Sequence, residues 1–164
     1  MTKYIDVNYQ GQDLHLVGGF YQVFDFMGDN KSLIYLGLET PEGEPYADLT
    51  KSFGEFVGQY GALFADINNC PGIEDFLQDN QIAFPTGGYK TGGYVTYPAY
   101  RLSPYIMEKL FSLEQIKDYK LEFDYMGEHT IEDELSTDWV TESLEAEKES
   151  FDEYLEQMRQ DNER

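Results

Sequence analysis

The chain has little positive charge, a single cysteine and no long apolar run. Its 164 residues carry 32 acidic and 11 basic side chains, which gives a formal net charge of −21 at pH 7. Because such a chain would repel phosphates, direct nucleic-acid binding is not expected. The lone Cys70 excludes an internal disulfide framework and a cysteine-rich zinc site.

Targeting and membrane segments are not recognisable either. No window approaches the run of about 18 apolar residues that a membrane span needs. The start, from Met1 to Asp6, lacks the apolar region of a secretory signal. We therefore expect a cytoplasmic protein with no membrane partner.

Catalytic and cofactor patterns are weak. His15 and His129 are the only histidines, so a thiol nucleophile would need one of them beside Cys70. The glycines from Gly87 to Gly92 have the spacing of a phosphate-binding loop, but Gly93-Tyr94 stands where Lys and Ser or Thr are required. We expect no enzyme, no cofactor and no metal site.

The negative charge is concentrated towards the C-terminus. Residues 121–164 contain 16 acids and three bases, a net charge of −13, whereas residues 1–120 have a net charge of −8. This difference predicts a core domain over residues 1–125 and an acidic helical segment over residues 126–164. The segment is too short to bury a core of its own, so we expect it to dock on the core domain.

Short alternating runs predict antiparallel strands in most of the core. One run ends at Gly18-Gly19, and a new strand is expected to follow it. Val95–Leu102 is predicted to be a strand at a sheet edge, because Pro98 has no N–H for a ladder. The alternation from Lys120 to Tyr125 predicts one more strand. Ser103-Pro104 and Ser112 predict short helices, and the fold class is α+β, an antiparallel sheet with short helices and a long acidic C-terminal helix.

The long helix is predicted from about Thr137 onward, where neither glycine nor proline occurs. Thr130 and Asp133 indicate a capping box just before it. Apolar residues recur at steps of three, four and seven and form one stripe, which consists of Val140, Leu144, Phe151, Leu155 and Met158.

Acidic side chains cover most of the remaining helical surface and are the main candidates for binding a partner: Glu132, Asp133, Glu134, Glu142, Glu145, Glu149, Asp152, Glu153 and Glu156. Spacings of three and four place several on one face, where they repel one another. This arrangement favours either solubility or the presentation of carboxylates to a basic groove. Residues 138–164 average one net negative charge per about 6 Å of helix, against one per about 1.7 Å in duplex DNA.

Tyrosines form a second candidate partner-binding group, Tyr89, Tyr94 and Tyr97. The first two end a local repeat, Thr86-Gly87-Gly88-Tyr89 and Thr91-Gly92-Gly93-Tyr94. Tyrosine is enriched at protein interfaces. The alternative is a strand whose aromatic residues pair across a sheet.

The middle of the chain carries a family resemblance, in the segments Asp66-Ile67-Asn68-Asn69-Cys70-Pro71, Pro85-Thr86-Gly87, Gly92-Gly93-Tyr94 and Tyr97-Pro98-Ala99-Tyr100-Arg101. These residues resemble a bacterial family of unknown function found in Gram-positive chromosomes and conjugative elements. In size and charge the chain is also similar to the acidic anti-CRISPR and antirestriction proteins of phages and plasmids, some of which are DNA mimics. Together these resemblances imply a mobile-genetic-element protein that acts in the host bacterial cell.

The expected function is non-catalytic inhibition of a host defence nuclease. The target would be a CRISPR effector of the Cas9 type, which holds nucleic acid in a basic channel, or a restriction enzyme. Acidic side chains would occupy the basic DNA- or RNA-binding surface. The alternative is a protein-interaction module of a mobile element in which acidity serves solubility only.

Overall fold

The computed structural model describes residues 3–54, 59–123 and 127–162. Its strands are β1 (Ile5–Tyr9), β2 (Gln12–Phe24), β3 (Asn30–Glu39), β4 (Pro45–Asp48), β5 (Ala62–Phe64), β6 (Ala83–Gly92) and β7 (Val95–Leu102). Its helices are α1 (Ile73–Asp79), α2 (Pro104–Leu110), α3 (Leu113–Leu121), α4 (Ile131–Leu135) and α5 (Asp138–Asn162).

The strands form two antiparallel sheets. The first has the order β1-β2-β3-β4, a meander in which chain neighbours are also sheet neighbours. The second has the order β5-β7-β6, and a single bridge between Thr50 and Ala65 connects the segment after β4 with the segment after β5. The α+β class, with antiparallel sheets, short helices and a long C-terminal helix, is confirmed.

Strand β2 continues through Gly18-Gly19, so the predicted break there is wrong. A β-carbon on Gly18 would lie 2.8 Å from Cζ of Phe111, which follows helix α2. Glycine inside a strand often marks such a close approach rather than a turn. The glycine therefore lets the end of α2 pack directly on the sheet.

Strand β7 lies in the centre of its sheet, so the predicted edge position is also wrong. It pairs with β5 on one side and with β6 on the other. Pro98 is tolerated because the register of β6 shifts between Pro85 and Tyr89, directly opposite Pro98 and Ala99. The Pro98 carbonyl still accepts a hydrogen bond from the Ala65 N–H at 3.1 Å.

The strand predicted over Lys120–Tyr125 is wrong for its described part. Helix α3 begins at a capping box between Ser112 and Gln115 and runs to Leu121. Phe123 then donates its N–H to the Lys120 carbonyl at 3.0 Å, which closes a turn. Tyr125 lies outside the described residues.

The largest buried cluster joins the two sheets to the helices. It includes Leu16, Leu36 and Leu63 from the strands together with Val140 and Leu144 from α5. The first half of α5 therefore contributes to this core. The remaining stripe residues, Phe151, Leu155 and Met158, are partly buried. The predicted domain boundary, at residues 125 and 126, lies outside the described residues, and the division into two segments stays a prediction.

The predicted capping box between Thr130 and Asp133 is present, but it begins the separate short helix α4 and not the long helix α5. The Thr130 hydroxyl accepts from the Asp133 N–H at 3.2 Å, and the Asp133 carboxylate accepts from the Thr130 N–H at 2.9 Å. Of the helices described, α5 included, none has the length and apolar character that a membrane crossing requires.

Candidate functional site

Helix α5 has two chemically different faces. At about 100° per residue, six of the acids between Glu142 and Glu156 fall within an arc of about 100° that is opposite the apolar stripe. We call this set the outer face, and it consists of Glu142, Glu145, Glu149, Asp152, Glu153 and Glu156. All six residues are exposed. The inner face carries the apolar stripe and one further acid, Glu147, which is half-buried.

The outer face carries closely spaced carboxylates. Its six carboxylates span about 21 Å at a rise of about 1.5 Å per residue, so they follow one another at about 4 Å. One strand of duplex DNA carries a phosphate per about 3.4 Å along the axis. The carboxylates of the outer face therefore approach the axial spacing of phosphates in a single nucleic-acid strand, although not in a duplex.

Three carboxylates of the outer face already have partners. Glu145 pairs with Lys148 at 3.2 Å, and Lys148 also pairs with Glu108 on α2. Glu156 accepts from the Arg159 guanidinium at 3.1 Å, and this bond lowers the pKa of Glu156. Both oxygens of Asp152 lie 2.9 Å from the Tyr105 hydroxyl.

The other three, Glu142, Glu149 and Glu153, have no hydrogen bond or ion pair with any described residue. They are spaced seven and four residues apart, so they lie close to one line along the helix. Their charge is available to a partner without the loss of an existing contact. They form the least compensated part of the outer face.

The acids of α4 are placed differently from those of α5. Glu132 and Glu134 are exposed, whereas Asp133 is half-buried and completes the capping box of its own helix. The hydrogen bond from the Thr130 backbone lowers the pKa of Asp133, and the His129 ring lies 3.5 Å from the carboxylate. Asp133 therefore has a clear local structural task.

The structure separates the three predicted tyrosines. Tyr89 and Tyr94 lie on the hairpin of β6 and β7, where their exposed fractions are 69% and 108%. Tyr97 is instead a core residue, packed with Phe64 and Val23 in a second buried cluster. Its ring cannot meet a partner in this fold, and the prediction of Tyr97 as a binding residue is corrected. The ring pairs with Phe53 edge-on at 5.4 Å between centroids.

An ion pair between Lys120 and Glu147 was missed by the sequence reasoning. Lys120 is buried at the end of α3, and its ammonium contacts the Glu147 carboxylate on the inner face of α5. The ammonium also lies 4.5 Å from the centre of the Tyr60 ring. The helical period would have placed Glu147 on the inner face, but no local pattern identifies Lys120 as its partner.

Cys70 is buried beneath β4 rather than exposed to a substrate. Its thiol donates to the Asp48 carbonyl at 3.1 Å, and burial raises its pKa to about 11. The thiol is therefore protonated at neutral pH, unlike an activated thiol nucleophile. In the part of the chain that the structure describes, no group of three or more potential ligands is arranged to hold a metal ion.

Comparison with known proteins gives one match. A family model described as "Domain of unknown function (DUF4313)" matches residues 20–123, from the middle of β2 to the turn after α3. The match covers most of both sheets and ends before α4 and α5. No curated protein and no solved structure matches the chain.

Proposed function

The chain belongs to the DUF4313 family, and we propose that it is a mobile-element protein that inhibits a host defence nuclease. The outer face of α5 would occupy a basic surface at which the nuclease normally binds nucleic acid. The target would be a CRISPR effector or a restriction enzyme, and inhibition would require no catalysis.

The observation that supports this proposal is the spacing of the outer face. Its carboxylates follow one another at about 4 Å, so they can meet lysine and arginine side chains arranged for a phosphate backbone. Opposite charges on the two proteins would also accelerate association, in a manner that salt weakens.

The experiment measures DNA cleavage by a panel of CRISPR effectors and restriction enzymes in the presence of the protein. The test variant combines Glu142→Gln, Glu149→Gln and Glu153→Gln, which removes the three carboxylates without partners. Each lost charge contact at an exposed interface is expected to weaken inhibition a few-fold, for a total of about tenfold or more. Raising the salt concentration should weaken the wild type more than the variant.

The matched control combines Glu42→Gln, Glu44→Gln and Asp79→Asn, three exposed acids outside α5. It changes the net charge by the same amount and should inhibit as the wild type does. Equal loss in both variants would mean that only total charge matters. Unchanged inhibition by the test variant would contradict the proposed role of the outer face.

The exposure of Tyr89 and Tyr94 supports a second candidate, an interaction module that binds through the β6–β7 hairpin. In that case acidity maintains solubility only. Replacing both tyrosines with serine would then abolish partner binding, and the outer-face variant would retain it. Measuring the binding of each variant to the captured partner therefore distinguishes the two candidates.

A further inference from the structure

A cavity of about 690 Å³ lies between the second sheet, α2 and the side of α5 next to its inner face. Small-molecule sites usually enclose about 300–1,000 Å³. Phe84 of β6 and Phe151 and Tyr154 of α5 form an aromatic wall, with ring centroids 5.3 to 6.4 Å apart. Tyr60 lines another part of the cavity.

Two described charged residues line the cavity, Glu147 and Arg101. Glu147 is matched by Lys120, as described above. Arg101 of β7 also lines the cavity, and it has no hydrogen bond or ion pair with the described residues. Its guanidinium lies 5.9 Å from the centre of the Tyr60 ring. Arg101 is exposed, so its guanidinium is accessible to a ligand that enters from solvent.

The backbone next to Arg101 accommodates its side chain. Gly61 has a φ of +83°, and a β-carbon there would lie 3.3 Å from Cγ of Arg101. Glycine is suited to this left-handed conformation and leaves room for the arginine stem. The Tyr119 hydroxyl accepts the Gly61 N–H at 2.7 Å and holds this backbone in place.

We propose that this cavity binds a small organic anion with an aromatic body, whose acidic group contacts Arg101. The rings of Phe84, Phe151 and Tyr154 would pack against the apolar part. The planar guanidinium offers paired donors to a carboxylate or sulfonate. This site is distinct from the outer face, because Arg101, Phe84, Phe151 and Tyr154 are not among the residues of that face.

Two fluorescent probes test the proposal, 8-anilinonaphthalene-1-sulfonate and N-phenyl-1-naphthylamine. They share the same aromatic body, and only the first carries a negative charge. We expect saturable binding of both to the native protein at one site. Arg101→Gln should weaken binding of the sulfonate about tenfold and change binding of the uncharged probe by less than about twofold.

Arg159→Gln is the matched control, because it removes an arginine from α5 outside the cavity. It should leave the affinity for both probes unchanged. Ser143→Phe or Ser150→Phe, two separate replacements on the cavity wall, should weaken both probes by filling the space. Circular dichroism and urea unfolding identify variants that remain folded.

The proposal is overturned if neither probe shows saturable binding to the native protein. It is also overturned if folded Ser143→Phe and Ser150→Phe variants bind both probes as the wild type does. Equal weakening of the two probes by Arg101→Gln would contradict the role assigned to the guanidinium. None of these results depends on nuclease inhibition.

Discussion

The two faces of α5 differ in what the rest of the fold requires of them. On the inner face, Val140 and Leu144 are buried in the main core, and Glu147 pairs with the buried Lys120. On the outer face, every residue is exposed and three carboxylates have no partner among the described residues. Packing therefore determines which residues the inner face of the helix requires, whereas it places no such requirement on the outer face.

This difference separates the structural task of α5 from its proposed binding task. Like charges three or four residues apart destabilise a helix by a few tenths of a kcal/mol per pair. The apolar contacts of the inner face easily offset that cost. An acidic outer face is therefore compatible with the fold without being needed by it, as the proposed binding of a partner requires.

The largest effect is expected from Leu144→Ala on the inner face. The side chain is 2% exposed within the core, so its truncation leaves a cavity and should lower the free energy of unfolding by about 3 kcal/mol. Glu149 lies about one and a half turns further along α5, on the outer face. Glu149→Ala should change the free energy of unfolding by less than about 0.5 kcal/mol. Urea unfolding measures both changes in free energy. Similar decreases in the two variants would contradict the difference between the faces.

A smaller effect is expected from Glu147→Gln. The Lys120 side chain is 7% exposed, and this change leaves its ammonium without the carboxylate that it pairs with. The free energy of unfolding should fall by about 2 kcal/mol. Combining Lys120→Met with Glu147→Leu should recover most of that loss, since a buried pair can be replaced by apolar side chains. Urea unfolding of the single and double variants gives the coupling between the two positions.

Glu145→Gln is the surface counterpart of that change. It removes a contact with Lys148, which keeps its pairing with Glu108. The free energy of unfolding should fall by less than about 0.5 kcal/mol. If Glu147→Gln were as mild as Glu145→Gln, the inner-face pair would have no special structural role.

Local signals were sufficient to predict much of the helical structure. Ser103-Pro104 and Ser112 marked the starts of α2 and α3, and Thr130 with Asp133 marked the cap of α4. These patterns are reliable because the atoms that cap a helix lie within three residues of one another. The long helix followed from its apolar period.

The predictions at Gly18 and Pro98 were wrong because contacts between residues that are distant in sequence determine the structure there. Gly18 looks like a turn residue until Phe111 is placed against it. Pro98 looks like an edge residue until the register shift in β6 is known. Neither neighbour can be identified from the residues around the glycine or the proline.

The candidate site was predictable to a similar extent. The helical period places the outer face opposite the apolar stripe, and the structure leaves all six of its acids exposed. The burial of Tyr97 depends on Phe53 and Phe64 and was not predictable. The cavity beside Arg101 joins four separate parts of the chain, so no local sequence signal marks it.

The proposed function requires that the outer face and nucleic acid compete for the same basic surface. The direct measurement is the fluorescence anisotropy of a labelled DNA bound to a nuclease that the protein inhibits, followed as the protein is added. If they compete, the protein displaces the DNA, and the variant that combines Glu142→Gln, Glu149→Gln and Glu153→Gln requires a higher concentration to do so. A stable ternary complex of nuclease, DNA and protein would contradict it.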